Sequence, residues 1–224
     1  MVLLNEIIQF SPQLLKGTWI TIQLTVLSIA LSVVIALVFG IMRHSRVRVV
    51  NLIALVYIDF FRGSSALVIL YWIYFALPFL GITLQPMTAG VVGLGATFGA
   101  YGADFVRGSI EAIPREQYMA ATALNFTRWQ TTTRIILPQA VIRMVPPFGN
   151  LFIQLLKGTA LVSLITIHDL TFQAQILRSQ TYKTVVLFSM TLVMYFILAS
   201  LITAGMRALE RKLSFGRDYG GVQL

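Results

Sequence analysis

The sequence predicts an all-α, polytopic membrane protein with about five transmembrane helices. Of its 224 residues, 57% are hydrophobic and only 11% are charged, whereas a soluble domain carries about 25% charged residues. Three long runs, residues 17–42, 63–103 and 184–206, contain no charged residue and no histidine. Each run is long enough for at least one helical crossing of a bilayer, which takes about 20 apolar residues. So little charge leaves too little polar surface for a water-soluble particle.

The apolar runs and the residues that interrupt them place the spans in order. The predicted spans are 19–42, 52–78, 87–109, 139–167 and 184–206. The first ends at a basic cluster that begins with Arg43, and the second ends at Pro78. The third is rich in glycine and alanine, and its Gly95-xxx-Gly99 repeat favours close helix packing in lipid.

Prolines interrupt the fourth span, and a basic tail ends the fifth. Pro146 and Pro147 lie inside the fourth span, which also carries Lys157. The complete prediction is a periplasmic segment (1–18), a transmembrane domain (19–208) and a cytoplasmic tail (209–224).

Basic residues fall mainly on one side of this topology, and the positive-inside rule makes that side cytoplasmic. The cytoplasmic group is Arg43, Arg46, Arg48, Arg107, Arg115, Arg128, Arg134, Arg207, Arg211, Lys212 and Arg217. The opposite side has only Lys16, Arg178 and Lys183. We therefore expect the N-terminus outside the membrane, the C-terminus inside, and the loop 111–137 in the cytoplasm.

The loop 111–137 is too polar to lie in lipid and is predicted to form two short helices. Pro114 suits the first turn of a helix, where its missing N–H is not needed. Asn125 is tolerated in a left-handed C-cap, so it ends the first helix. The second helix is expected from about Arg128 until it stops before Pro138. On pattern alone, a solvated amphipathic loop explains this segment equally well.

A set of short motifs is spread over most of the chain: Phe61-Arg62-Gly63-Ser64, Ala100, Tyr101, Ala103, Asp104, Arg107, Gly108, Ile113, Pro114, Gln117, Ala120, Ala121, Leu124, Ile136 to Ala140, Asn150, Leu156-Lys157, Thr159 and Leu161. Together these motifs resemble the permease subunits of binding-protein-dependent ABC importers, and the polar amino-acid uptake branch most of all. In that family the cytoplasmic segment is the EAA loop, whose coupling helix docks on an ATPase.

The resemblance implies the function, the partners and one set of site residues. It implies a bacterial inner-membrane permease that moves a polar amino acid or related zwitterion, such as a compatible solute, and is not itself an enzyme. The implied partners are a cytoplasmic ATPase dimer that holds ATP–Mg, a second permease (identical or different), an extracytoplasmic solute-binding protein and membrane lipid. The implied coupling residues are Gln117, Met119, Ala120, Ala121, Leu124, Asn125 and Phe126.

A polar stripe on the fourth span is the predicted solute pathway. At about 100° per residue, one narrow sector of that helix holds Arg143, Pro146, Asn150, Gln154, Lys157 and His168. An ionisable group at membrane depth is expensive unless it faces protein or water. We therefore predict that Asn150, Gln154, Lys157 and Gly158 line the pathway. The alternative is that Lys157 snorkels or binds carbonyl groups of a neighbouring helix.

The chain departs from the family pattern at positions that bear on function. Met119 stands where the family's loop has a glutamate, and Asn125 stands where it has a glycine. Gly158 follows Lys157 where the family commonly has an acidic residue. The alternatives are that a ligand's amino group is held by other residues, by the partner subunit, or not at all. Ser65 replaces a usual proline. The altered loop is more tolerable if the second permease is a different chain.

Other function classes lack the residues that they need. The chain has no cysteine and only two histidines, so we expect no metal site. No GxxxxGK[ST] phosphate loop occurs, so we expect no bound nucleotide or other cofactor. The net charge of +9 is explained by topology and not by nucleic acid. An ion-coupled carrier, a channel and a purely structural membrane subunit are the alternatives. Asp59 with Arg62, and Asp104 with Arg107, are expected to be structural ion pairs.

Overall fold

Long helices account for most of the fold in a computed structural model that describes residues 2–45 and 47–214. Arg46 and Arg217 of the predicted basic clusters, and the tail beyond residue 214, lie outside the described residues. The α-helices are α1 (Val2–Arg43), α2 (Arg48–Gly63), α3 (Ala66–Tyr71), α4 (Pro86–Glu111), α5 (Arg115–Ala123), α6 (Arg128–Gln130), α7 (Leu137–Gly158), α8 (Leu170–Thr181) and α9 (Thr184–Ser214). No strand occurs among these residues.

Helix α1 begins well before the first predicted span. Its 42 residues make a helix of about 63 Å, about twice the thickness of a hydrocarbon core. Near its N-terminus, Phe10 and Leu14 are buried in a cluster with Leu170 of α8, and Lys183 pairs with Glu6. The predicted N-terminal segment is therefore a helical extension of the first span, because it has its own packing partners.

Small residues bring α1 and α4 together, as the glycine repeat predicted. A Cβ atom added at Gly95 would lie 2.7 Å from Leu31 Cδ2, and one added at Gly99 would lie 2.5 Å from Ile35 Cγ2. Both distances are too short for a side chain, so the glycines are required for this contact. Because the paired residue numbers rise together, the two helices run parallel.

We expect Gly99→Ala to destabilise the protein and Gly108→Ala not to do so. The first change forces apart two packed helices, and overpacking typically costs about 1–3 kcal/mol. A Cβ atom at Gly108, on the same helix, meets nothing within 4 Å, and alanine favours the helix by up to about 1 kcal/mol. The melting temperatures of the two detergent-solubilised variants provide the measurement. Equal melting temperatures for the two variants would contradict the close contact between α1 and α4 at Gly99.

The predicted second span, 52–78, is divided in the structure. The axis of α2 makes an angle of 102° with the following segment, Ala66–Leu80. In that segment, α3 continues as a π-helix (Trp72–Ala76) and a 3₁₀-helix (Leu77–Leu80). Leu70 of α3 packs against Gly93 of α4. The prediction treated 52–78 as one span, and the polar residues Arg62, Ser64 and Ser65 near the break did not by themselves specify a change of direction.

The ion pairs differ from those predicted. Arg62 of α2 pairs with Asp104 of α4, and Arg107 pairs with Glu111 one turn along α4 at 2.8 Å. The predicted pairs of residues three apart do not form among the described residues. The bend places the end of α2 beside α4, so Arg62 joins the two helices instead of stapling its own.

Helix α8 starts at a buried capping carboxylate. Asp169 is fully buried and accepts hydrogen bonds from the backbone N–H groups of Phe172 (3.0 Å) and Thr171 (3.3 Å). The Tyr195 hydroxyl of α9 donates to it at 3.4 Å. Burial raises the pKa of Asp169 to about 6, so this cap joins α8 to α9 with a group that titrates below neutral pH.

This carboxylate should make stability depend on pH. Because the pKa is higher in the folded protein than in the unfolded chain, the folded state holds the proton more tightly between about pH 4 and pH 6. Its contribution to stability is complete below that window and is lost as pH rises through it. We expect the melting temperature of wild type to fall, relative to that of Asp169→Asn, between pH 4 and pH 7. A constant difference in melting temperature between the two proteins across this range would contradict the raised pKa of Asp169.

Candidate functional site

The first helix of the loop 111–137 ends as predicted. Asn125, just beyond α5, has a left-handed backbone with φ of 55°. The Phe126 N–H donates to Ala121 O and the Asn125 N–H donates to Thr122 O, both at 3.0 Å. This pair of bonds is a Schellman motif, which satisfies the last carbonyl groups of a helix. The left-handed C-cap at Asn125 is thus confirmed.

The second helix of the loop does not stop before Pro138, contrary to the prediction. It starts at α6, where Thr127 and Gln130 form a capping box, passes through a π-helix (Thr131–Ile136) and continues as α7. A π-helix has wider-spaced hydrogen bonds and occurs mostly as a single-turn insertion in an α-helix, and here it directly precedes Pro138. The second helix of the loop and the polar stripe are therefore parts of one continuous helical segment.

Large apolar side chains project from the loop. Met119 is 62% exposed, Leu124 is 68% exposed and Trp129 is 76% exposed. Ala120 and Asn125 are also exposed, and Phe126 is half-buried. We call Met119, Ala120, Leu124 and Trp129 the loop face. Exposed apolar groups of this size on a polar loop indicate a protein-binding surface.

Two of the predicted coupling residues point into the protein, and one residue was missed. Ala121 is fully buried, so it supports α5 and cannot contact another protein directly. Gln117 is half-buried and accepts a hydrogen bond from Gln139 of α7 at 3.4 Å. Trp129 was absent from the predicted set. The sequence could have indicated Trp129, because it is a large aromatic residue in a polar, amphipathic segment.

The predicted polar stripe is exposed along the membrane-spanning part of α7. Its exposed members are Arg143, Pro146, Asn150, Gln154 and Lys157. His168 does not belong to it, because α7 is followed by a 3₁₀-helix, Thr159–Ile165, and the helical segment ends at Thr166, whose backbone is left-handed. His168 instead stacks on Phe172, with ring centroids 4.6 Å apart.

Lys157 has no ion-pair partner within the part of the chain that the structure describes. It lies on an apolar helix between uncharged turns, where an unpaired ammonium facing lipid would be costly. An exposed polar stripe at this depth needs water or another protein subunit beside it.

Gly158, at the end of α7, packs against an aromatic ring. A Cβ atom there would lie 3.1 Å from Phe98 Cε2 and 3.2 Å from Phe98 Cζ. Phe98 is largely buried, so its ring occupies the space into which a side chain at residue 158 would extend. The ring thus accounts for the glycine at this position.

Asn150 and Pro146 also border a cleft between α7 and α9. The cleft has a volume of ≈ 210 Å³, and Arg207 and Glu210 of α9 lie at its edge. The polar stripe thus begins at a polar cleft and continues through Gln154 to Lys157.

Comparisons with known proteins agree with this architecture. Residues 32–215 match the family described as "Binding-protein-dependent transport system inner membrane component". A probable amino-acid ABC transporter permease of Sinorhizobium fredii is 44% identical over 91% of this chain and 88% of its own. The glutamine transport system permease of Escherichia coli is 35% identical over 90% and 93%. A crystal structure of an amino acid ABC transporter with histidines has a TM-score of 0.87 at 32% identity, covering 93% of this chain and 97% of that one.

Proposed function

Because the chain belongs to the family of binding-protein-dependent transport system inner membrane components, we propose that this ABC transporter permease subunit carries a polar amino acid or a related zwitterion along the polar stripe of α7. The glutamine permease and the transporter structure with histidines support this solute class. Family membership also favours a permease over a carrier, a channel or a purely structural subunit.

The exposed stripe, and Lys157 above all, is the observation that carries the proposal. A second permease placed against α7 would enclose Asn150, Gln154 and Lys157 in a polar passage. An ammonium at the centre of that passage would attract the carboxylate that every α-amino acid carries. Lys157 then binds the carboxylate, while Gly158 leaves the amino group to the partner permease.

The loop face is the proposed contact for a separate cytoplasmic ATPase dimer, which holds ATP–Mg. This requires the N-terminus outside and the C-terminus inside. Trp129 of the loop face lies in the helical segment that continues from α6 through α7, so a push on Trp129 moves the helix that carries the stripe. A solute-binding protein would deliver the amino acid at the opposite side of the membrane.

Site-specific labelling tests the orientation first. The chain has no cysteine, so Trp129→Cys gives a single thiol. In intact cells we expect a membrane-impermeant maleimide to leave this thiol unlabelled, and to label it after the membrane is opened. Tyr182→Cys, exposed at the end of α8, is the matched control and should be labelled in intact cells. The reverse pattern would exclude a cytoplasmic ATPase at the loop face.

A further inference from the structure

Helix α2 presents an apolar face that no other described element covers. Its exposed apolar side chains, each 53–66% exposed, are Val49, Leu52, Ile53, Val56 and Phe60. At 100° per residue they occupy a sector of about 100°. The opposite side packs inward, where Ala54 and Ile58 are buried. Four of the exposed residues border a shallow groove of ≈ 420 Å³.

Both ends of α2 lie near the C-terminal ends of the parallel helices α1 and α4. At its start, the Asn51 side-chain amide donates to the carbonyl oxygen of Arg43, the last residue of α1, at 2.6 Å. At its end, Arg62 pairs with Asp104 in the last third of α4. With the 102° bend that follows, these contacts place α2 across the two helices rather than alongside them.

A polar edge runs beside the apolar face. Arg48, Asn51, Asp59 and Arg62 fall within a further sector of about 80°. Arg48 is exposed, and so is His44 in the preceding turn. Of the two basic residues on this edge, Arg62 is paired with Asp104, so Arg48 is the one available to lipid phosphate, at the end of the helix away from the exposed Asp59. An amphipathic helix typically lies in the membrane interface, where its apolar face enters the acyl region and an exposed basic group meets phosphates.

We propose that α2 is not a transmembrane segment but an interfacial helix that binds anionic phospholipids of the inner leaflet. Its apolar face lies on acyl chains, and Arg48 contacts lipid phosphate. The membrane crossing is left to the segment Ala66–Leu80, whose helical length of about 22 Å is shorter than the hydrocarbon core, so the bilayer thins locally around it. The assignment to the inner leaflet rests on the proposed orientation, whereas the in-plane position does not.

Spin-label depth distinguishes an in-plane helix from a crossing one. Leu52→Cys, Val56→Cys and Phe60→Cys are single thiols on the same face, because the chain has no cysteine of its own. In reconstituted vesicles, we expect labels at all three to contact oxygen and to report the same shallow depth. A crossing helix would instead change depth by about 12 Å from residue 52 to residue 60, and that result would overturn the proposal.

Ala54→Cys, on the buried side, is the matched control and should be shielded from both oxygen and a polar nickel reagent. If the three exposed positions are shielded in the same way, a second subunit covers the face and the lipid assignment is wrong. The depth profile is independent of uptake and of the labelling of Trp129→Cys, so its failure leaves the proposed function intact.

Lipid selectivity tests the basic edge. Spin-labelled phosphatidylglycerol should associate with the protein more strongly than spin-labelled phosphatidylcholine. Because one basic residue near an anionic surface contributes about 1 kcal/mol, Arg48→Gln should reduce the selectivity roughly fivefold. Arg178→Gln, an exposed change on α8, should leave it unchanged. An equal effect of both changes, or no effect of either, would refute the role of Arg48.

Discussion

Leu124→Asp should abolish ATP-driven uptake while the permease remains folded in the membrane. Leu124 is 68% exposed, so the subunit alone tolerates a carboxylate there. In a docked complex the same carboxylate would be buried without a partner. An unpaired buried charge costs about 3–5 kcal/mol, which corresponds to a loss in ATPase affinity of roughly 100-fold or more. Uptake in proteoliposomes and co-purification of the ATPase are the measurements.

Thr122→Asp is the matched control for this prediction. Thr122 is an exposed residue of α5 outside the loop face, and the change introduces the same charge. It should retain both ATPase binding and uptake. Full uptake by Leu124→Asp would falsify the docking role of the loop face. A parallel loss of protein from the membrane would show instead that Leu124 supports the fold.

The features visible in the sequence were those that depend on local chemistry. The uncharged runs predicted membrane helices, the glycine repeat predicted a close helix contact, for which the structure supplies α1 as the partner, and Asn125 predicted a left-handed cap. Each follows from a residue and its near neighbours along the chain.

Features that depend on distant contacts could not be predicted in this way. Arg62 was expected to pair with Asp59, but its partner Asp104 comes from a helix 42 positions away. The break after α2 was not predicted, because packing on α4, as at Leu70 against Gly93, sets the direction of the following segment. Ala121 belongs to an amphipathic loop, and only packing shows that it is the buried member. Local pattern thus identifies the candidate site, whereas tertiary packing selects which of its residues are accessible.

Lys157→Met should reduce uptake of an amino acid by about 10–100-fold without weakening the fold. The change keeps a long, flexible side chain but removes the ammonium, and a hydrogen bond to a charged group contributes about 1.5–3 kcal/mol. Removing an unpaired charge from an apolar helix also removes a cost of insertion, so the amount of protein in the membrane should be equal or higher. Initial rates of uptake at several solute concentrations are the measurement.

The amino-acid carboxylate is the group that makes this prediction specific. If Lys157 binds it, an amino-acid amide, which lacks the carboxylate, should be transported poorly by wild type and no worse by Lys157→Met. Lys16→Met, an exposed lysine on α1 outside the stripe, should not change either rate. If Lys157→Met slows the amino acid and its amide equally, Lys157 shapes the passage without binding the carboxylate. If it slows neither, the polar stripe of α7 is not the path of the solute.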